Sequence, residues 1–224
     1  MVGDRPDGCT AQEYNFQSSR AKGAMVFRQQ PAISIQLQLA HLLFADSSVD
    51  IESEYFMEKV LEPWLRGTLT NIAPVQRAVL HALELAKEDI QRWCGDLTDE
   101  QVNARPGGVA PVAFHIRHIA RSSDRLLTYA EGGSLTPEQI TVMKAELEPG
   151  ATRREVFVEL DAALERSVAR VEAFSVESLS MPRVVGRQQM PTTVAGLLVH
   201  VADHAQRHVG QAIVTAKIAK ASST

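Results

Sequence analysis

From Leu61 onward, apolar residues recur at steps of three and four through four long stretches, separated by connections that contain glycine and proline. That period belongs to helices that bury one side. In Asn71 to Cys94 the repeat is Ile72, Val75, Val79, Leu83, Ala86, Ile90 and Trp93, and Gly95 ends it. Pro111 stands at the first turn of a second stretch, which runs to about Glu131 and stops at Gly132-Gly133. A third opens at Thr152 with Glu155 three residues on, a capping box, and repeats Val156, Leu160, Ala163, Leu164, Val171 and Phe174. The fourth, Val194 to Lys217, follows a cap at Thr192 or Thr193. Two further capping boxes, Thr98 to Gln101 and Thr136 to Gln139, start short helices between the long ones. Residues 176–191, with Pro182, Gly186 and Pro191, read as a loop with room for extended pieces, and the chain offers no convincing strand pair. The expected fold is all-α: a four-helix bundle with a long crossover connection between its second and third helices.

The chain of 224 residues suits one such domain with an appendage. Its first 56 residues read differently from the rest. Met1 to Gln30 has no helical or strand period, and Ala32 to Phe44 alternates Ile33, Ile35, Leu37 and Leu39 with polar residues without a partner strand downstream. The expected division is a poorly ordered extension at 1–56, a helical domain at 57–219 and a tail at 220–224. Met57 precedes the first globular-looking segment, so a start site placed too far upstream is a second account of the extension. The formal charge of -4 and a pI of about 6.0 exclude a strongly basic nucleic-acid footprint. The row Arg117, Arg121 and Arg125 lacks the aromatic interleaving of single-strand binders. Two distant cysteines, Cys9 and Cys94, form no disulfide framework, which points to a reducing, cytoplasmic setting. No apolar run reaches the roughly 20 residues that span a bilayer. Trp64 and Trp93 are expected as core fillers, and Cys94 as a small buried hydrophobe.

Chemistry concentrates in the fourth stretch. His200, His204 and His208 stand four residues apart, one above another on a helix, and imidazoles at that spacing can hold one divalent ion together with a third ligand from elsewhere. At about 100° per residue, Leu197, His208 and Val201 lie about 20°, 40° and 60° from His204, and His200 about 40° to the other side. His204 and His208 are therefore expected within the buried stripe, and His200 at its margin. The second stretch offers His115 and His118. Its side bearing His118 also carries Ser122, Arg125 and Tyr129, and is either a wet surface or one wall of a pocket facing the histidine helix.

Phe114-His-Ile-Arg-His-Ile-Ala-Arg-Ser-Ser-Asp-Arg together with Val199-His-Val-Ala-Asp-His-Ala-Gln-Arg-His-Val-Gly-Gln resembles the DinB and YfiT-like superfamily over about Leu61 to Lys217. The resemblance implies a four-helix bundle that binds Zn²⁺, Ni²⁺ or a related ion through His118, His204 and His208. His115 and His200 match positions that hold histidine without ligating. Some members of that superfamily are implicated in S-transfer from low-molecular-weight thiols. The function so implied is that of a metal-dependent thiol S-transferase or hydrolase acting on a small molecule, with Arg121, Arg125, Tyr129 and Gln211 as candidates for the substrate pocket. A second class is a non-catalytic metal-binding module for stress protection or dimerisation, since homodimers are common among such proteins. Asp203 is a candidate partner for a ligand ring, although it points about 100° away from His204.

Overall fold

The structure, a computed structural model, describes residues 61–222. The extension and the alternating segment Ala32 to Phe44 lie outside the described residues. Four long helices carry the fold: α1 (Pro74–Cys94), α3 (Val112–Ala130), α5 (Arg153–Glu172) and α6 (Val194–Ala221). Two short helices, α2 (Asp99–Asn103) and α4 (Pro137–Lys144), lie in the connections on either side of α3. All three capping boxes form. In each, the threonine accepts a bond from the third helical backbone N–H, and the Gln or Glu side chain at that position bonds back to the cap. Thr193 caps α6 through the Gly196 N–H at 3.1 Å.

Each long helix packs chiefly against two others. α6 lies against α3 and α1, and α5 lies against the same two, so the four close a ring around one core. Of the consecutive long helices only α3 and α5 are neighbours; α1 and α3, and likewise α5 and α6, face each other across the ring. The 22-residue connection 131–152, which holds α4, joins α3 to α5. The core is built from the expected stripes. Val79, Leu83, Ala86 and Ile90 of α1 are buried with Ile116, Ile119 and Leu127 of α3, Val156, Leu160 and Val171 of α5, and Leu198, Val201, Ala205 and Val209 of α6. Two amides tie helices to neighbouring backbone: Gln206 Nε2 donates to the Ala82 carbonyl at 2.7 Å, and Gln76 Nε2 to that of Phe174 at 2.9 Å.

Three expectations need correction. Residues 176–191 include a strand, and the reading without a strand pair fails: β1 (Pro182–Val185) pairs antiparallel with β2 (Met190–Thr193), Val184 opposite Pro191. In a two-stranded hairpin both strands are edges, so Pro182 and Pro191 can sit where no ladder donor is required, and the proline signal misleads. The tryptophans do not fill the core. Trp64 is 62% exposed, and Trp93 is 38% exposed with the Lys217 ammonium 4.4 Å from its ring centroid. α6 also runs through Lys220 to Ala221, into the segment read as a tail. Cys94 is fully buried, and burial first of all pushes its thiol up to about 11, which leaves it inert.

The two tryptophans and the core separate cleanly in a stability measurement. Ile90→Ala, at a fully buried site, is expected to lose about 2–5 kcal/mol in urea denaturation. Trp64→Ala is expected to lose less than about 1 kcal/mol; a loss as large as that of Ile90→Ala would show that Trp64 belongs to the core after all.

Candidate metal centre

α3 and α6 lie side by side and run in opposite directions, because His115 meets His208 while His118 meets His204. The polar side of α3 therefore faces the histidine helix and forms one wall of the site. His118 Nε2 stands 2.9 Å from His204 Nε2. The His118 and His208 rings are 4.4 Å apart between centroids, and those of His204 and His208 4.7 Å. One nitrogen from each of the three rings lies within 4.8 Å of the others. Bonds of about 2.0 to 2.1 Å put two donors on one ion no more than about 4.2 Å apart, and the His118 and His204 nitrogens fall inside that limit. All three rings are half-buried, which leaves a solvent route to the centre. Phe114, one residue ahead of His115, stacks on His118 with centroids 5.2 Å apart and 25° between planes, and walls off one side of that ring.

The angular reading of α6 needs correction at His204. Its ten buried residues, among them Leu197, Val201, Ala205, Val209 and Thr215, span about 20° to 140° round from His204 and centre near about 80°. His204 thus occupies the margin of the stripe and His208, about 40° round, lies just inside it; both rings are half-buried and reach α3. His200 lies outside it, exposed, 5.3 Å from the His204 ring between centroids and 3.8 Å from the Asp203 carboxylate. The apolar stripe was legible, but where it is centred depends on which neighbours pack on it.

A carboxylate that sequence reasoning passed over completes the centre. Glu146 is the only buried residue of 141–150, while Val142, Met143 and Leu147 around it are exposed. It sits in the turn after α4 and points inward between two α3 side chains. Oε2 accepts from His118 Nδ1 at 2.6 Å and Oε1 from Arg125 at 2.6 Å. Burial works to raise its carboxyl, but the bonds from His118 and Arg125 outweigh it and hold it below the usual carboxylate range. Nothing in the local sequence marks Glu146, since Glu148 stands two residues on and the segment carries no helical period.

The remaining candidates fall in different places. Arg125 is buried and bonded to Glu146. Arg121 pairs with Glu159 of α5 at 2.5 Å and donates to the Val142 carbonyl, fastening α3 to α5 and α4. Both guanidiniums are thus committed to carboxylates of the chain. Tyr129, 11 residues past His118 and so about 16 Å along the helix, lines a separate cavity of about 360 Å³ beneath the hairpin with Arg183 and Gln189. Gln211 is exposed on α6. Asp203 pairs with Arg207 at 2.6 Å, away from the ring cluster. A groove of about 630 Å³ between α1 and α5 contains no histidine.

The donor set suits a divalent ion. Burial first, then the charges of neighbouring imidazoles, push His204 down to about 4 and His208 to about 3. Both rings therefore stay neutral and keep a lone pair at physiological pH. His115, buried beside them, is likewise lowered to about 4, by burial and then by His118.

A mostly helical domain with three converging imidazoles defines a class of candidate metal-binding helical proteins. The DinB superfamily model matches residues 82–212, a span that includes all three histidines, and the chain belongs to that superfamily. A crystal structure of a conserved protein from Enterococcus faecalis shares the fold at 20% identity, with a TM-score of 0.54, and the match covers 66% of this chain and 98% of that one. Among curated proteins, none matches the chain. Among the described residues no helix is long and apolar enough to cross a membrane.

The lowered histidines make the metal-free protein sensitive to acid. Their folded values lie below the ordinary 6.5, so between that value and about pH 4 the unfolded chain binds more protons. Stability is complete above about pH 6.5 and is lost as pH falls through the folded values. The melting temperature of chelator-treated protein is expected to drop over this window. A double variant His204→Gln, His208→Gln should flatten the drop; an unchanged slope would place the acid sensitivity elsewhere.

Proposed function

We propose that this protein binds one divalent ion, Zn²⁺ or Ni²⁺, through His118, His204 and His208, and uses it to transfer or hydrolyse a group on a small molecule. A low-molecular-weight thiol is the proposed cosubstrate. The observation that carries the reading is the convergence of three imidazole nitrogens from two helices on one half-buried, solvent-reachable point. Three neutral imidazoles leave further coordination positions open, and a divalent ion held there supplies Lewis acidity and lowers the pKa of a bound thiol or water.

The chain's own residues support this use of the site. His118, His204 and His208 supply neutral donors and no charge, so the ion's positive charge is left to stabilise an anionic thiolate or hydroxide. Phe114 stacks on the His118 ring and meets the His208 ring edge-on. Glu146 holds His118 in place and is itself held by Arg125. In S-transfer the thiol sulfur bonds to the electrophilic carbon, its proton passes to solvent and the leaving group departs.

Metal content after native purification tests the reading. About one equivalent of Zn²⁺ or Ni²⁺ per chain is expected, falling more than tenfold in His118→Ala, because removing one of three ligands leaves too few for a stable site. Bound metal is also expected to raise the melting temperature. A protein that purifies without metal and keeps its melting temperature when Zn²⁺ or Ni²⁺ is added would overturn it. Metal bound without turnover of any thiol and electrophile pair would instead assign a non-catalytic metal-binding module.

A further inference from the structure

One buried side chain, Glu146, touches the outer nitrogen of His118 and is not itself among the three converging donors. We propose that it is a positioning residue: Glu146 fixes the tautomer of His118, so that this ring presents a bare Nε2 before any ion arrives. The proposal deepens the metal-site reading and rests on it for its purpose, though not for its geometry.

An ionised carboxylate only accepts. The 2.6 Å contact between Glu146 Oε2 and His118 Nδ1 therefore places the ring proton on Nδ1 and leaves Nε2 with its lone pair. Glu146 can do this because the connection 131–152 inserts it, alone of residues 141–150, beneath α3. Arg125 grips the other oxygen and fixes the plane of the carboxylate.

His204 differs. Its Nε2 faces the bare Nε2 of His118 at 2.9 Å, and two lone pairs do not attract at that distance. In the metal-free protein His204 must therefore donate from Nε2. To become a ligand through that nitrogen it must lose the Nε2 proton to water and take one from water at Nδ1, with no net change in protonation. One ring is preset and one switches.

The test uses the full chain with ¹⁵N-labelled histidine at pH 7.5 and long-range ¹H–¹⁵N correlation, with Zn²⁺ alone as the probe. Expected in the metal-free protein are the Nδ1–H form for His118 and the Nε2–H form for His204; on adding Zn²⁺ His204 changes form and His118 does not. Glu146→Gln should convert His118 to a mixture of tautomers and weaken Zn²⁺ binding by about 10–100-fold. A wild-type spectrum with His118 as Nε2–H, or with no preferred form, overturns the proposal whether or not the variant folds. Assigned tautomers in a protein that never binds Zn²⁺ would support the hydrogen-bond assignment and sink the metal reading.

Discussion

The antiparallel contact between α3 and α6 is the constraint on which the rest depends. It buries Ile116, Ile119, Val201 and Ala205 in the common core and, on its outer edge, sets His118 against His204 and His115 against His208. The two requirements share one geometry. Apolar residues toward the ring centre hold the helices at a fixed distance, and that distance lets imidazoles at the margin meet. A histidine deeper in the stripe would need a buried partner for every nitrogen, and one farther out would not reach the other helix. His204 and His208 sit between these limits, and His200, one turn earlier, is exposed.

Electrostatics at the centre are arranged in layers. The three rings facing one another contribute no charge while neutral, and burial with mutual repulsion keeps His204 and His208 in that form. The nearest anion, Glu146, is held off the centre by one ring and neutralised behind by Arg125. Burying a carboxylate is expensive unless each oxygen is bonded to a donor, and here each oxygen has one. The same device fastens the connection 131–152 to α3, so the segment between the second and third long helices belongs to the site and not only to the topology. Arg121, one turn before Arg125, does similar work toward α5 and α4 through Glu159 and the Val142 carbonyl.

The cavities give a different emphasis. The groove of about 630 Å³ between α1 and α5 has a floor of leucines and valines and a rim of Glu84, Asp161 and Glu165, yet carries no cluster of ligating groups. Chemistry here is located by converging nitrogens and not by concavity. Tyr129 belongs with the hairpin cavity, together with Arg183, whose Nε donates to the Ala130 carbonyl at the end of α3.

Much of the fold was legible because helices announce themselves locally. The three- and four-residue steps set the core faces of α1, α3 and α5, and the pairs Thr98 with Gln101, Thr136 with Gln139 and Thr152 with Glu155 marked helix starts that form as capping boxes. The spacing of His204 and His208 singled out one helix as the bearer of a site. Periodicity left His115 and His118 open, and the choice of His118 came from family resemblance. What the sequence by itself determined are features set within one or two helical turns: element type, caps, stripes and histidine spacing. What only the tertiary structure decided are features set between elements. These are the angular centre of the α6 stripe, the strand pair around Pro182 and Pro191, the outward turn of both tryptophans, and the burial of Glu146 against His118 and Arg125. Those depend on which surfaces meet, and no local period encodes a partner 28 residues away or an imidazole on another helix.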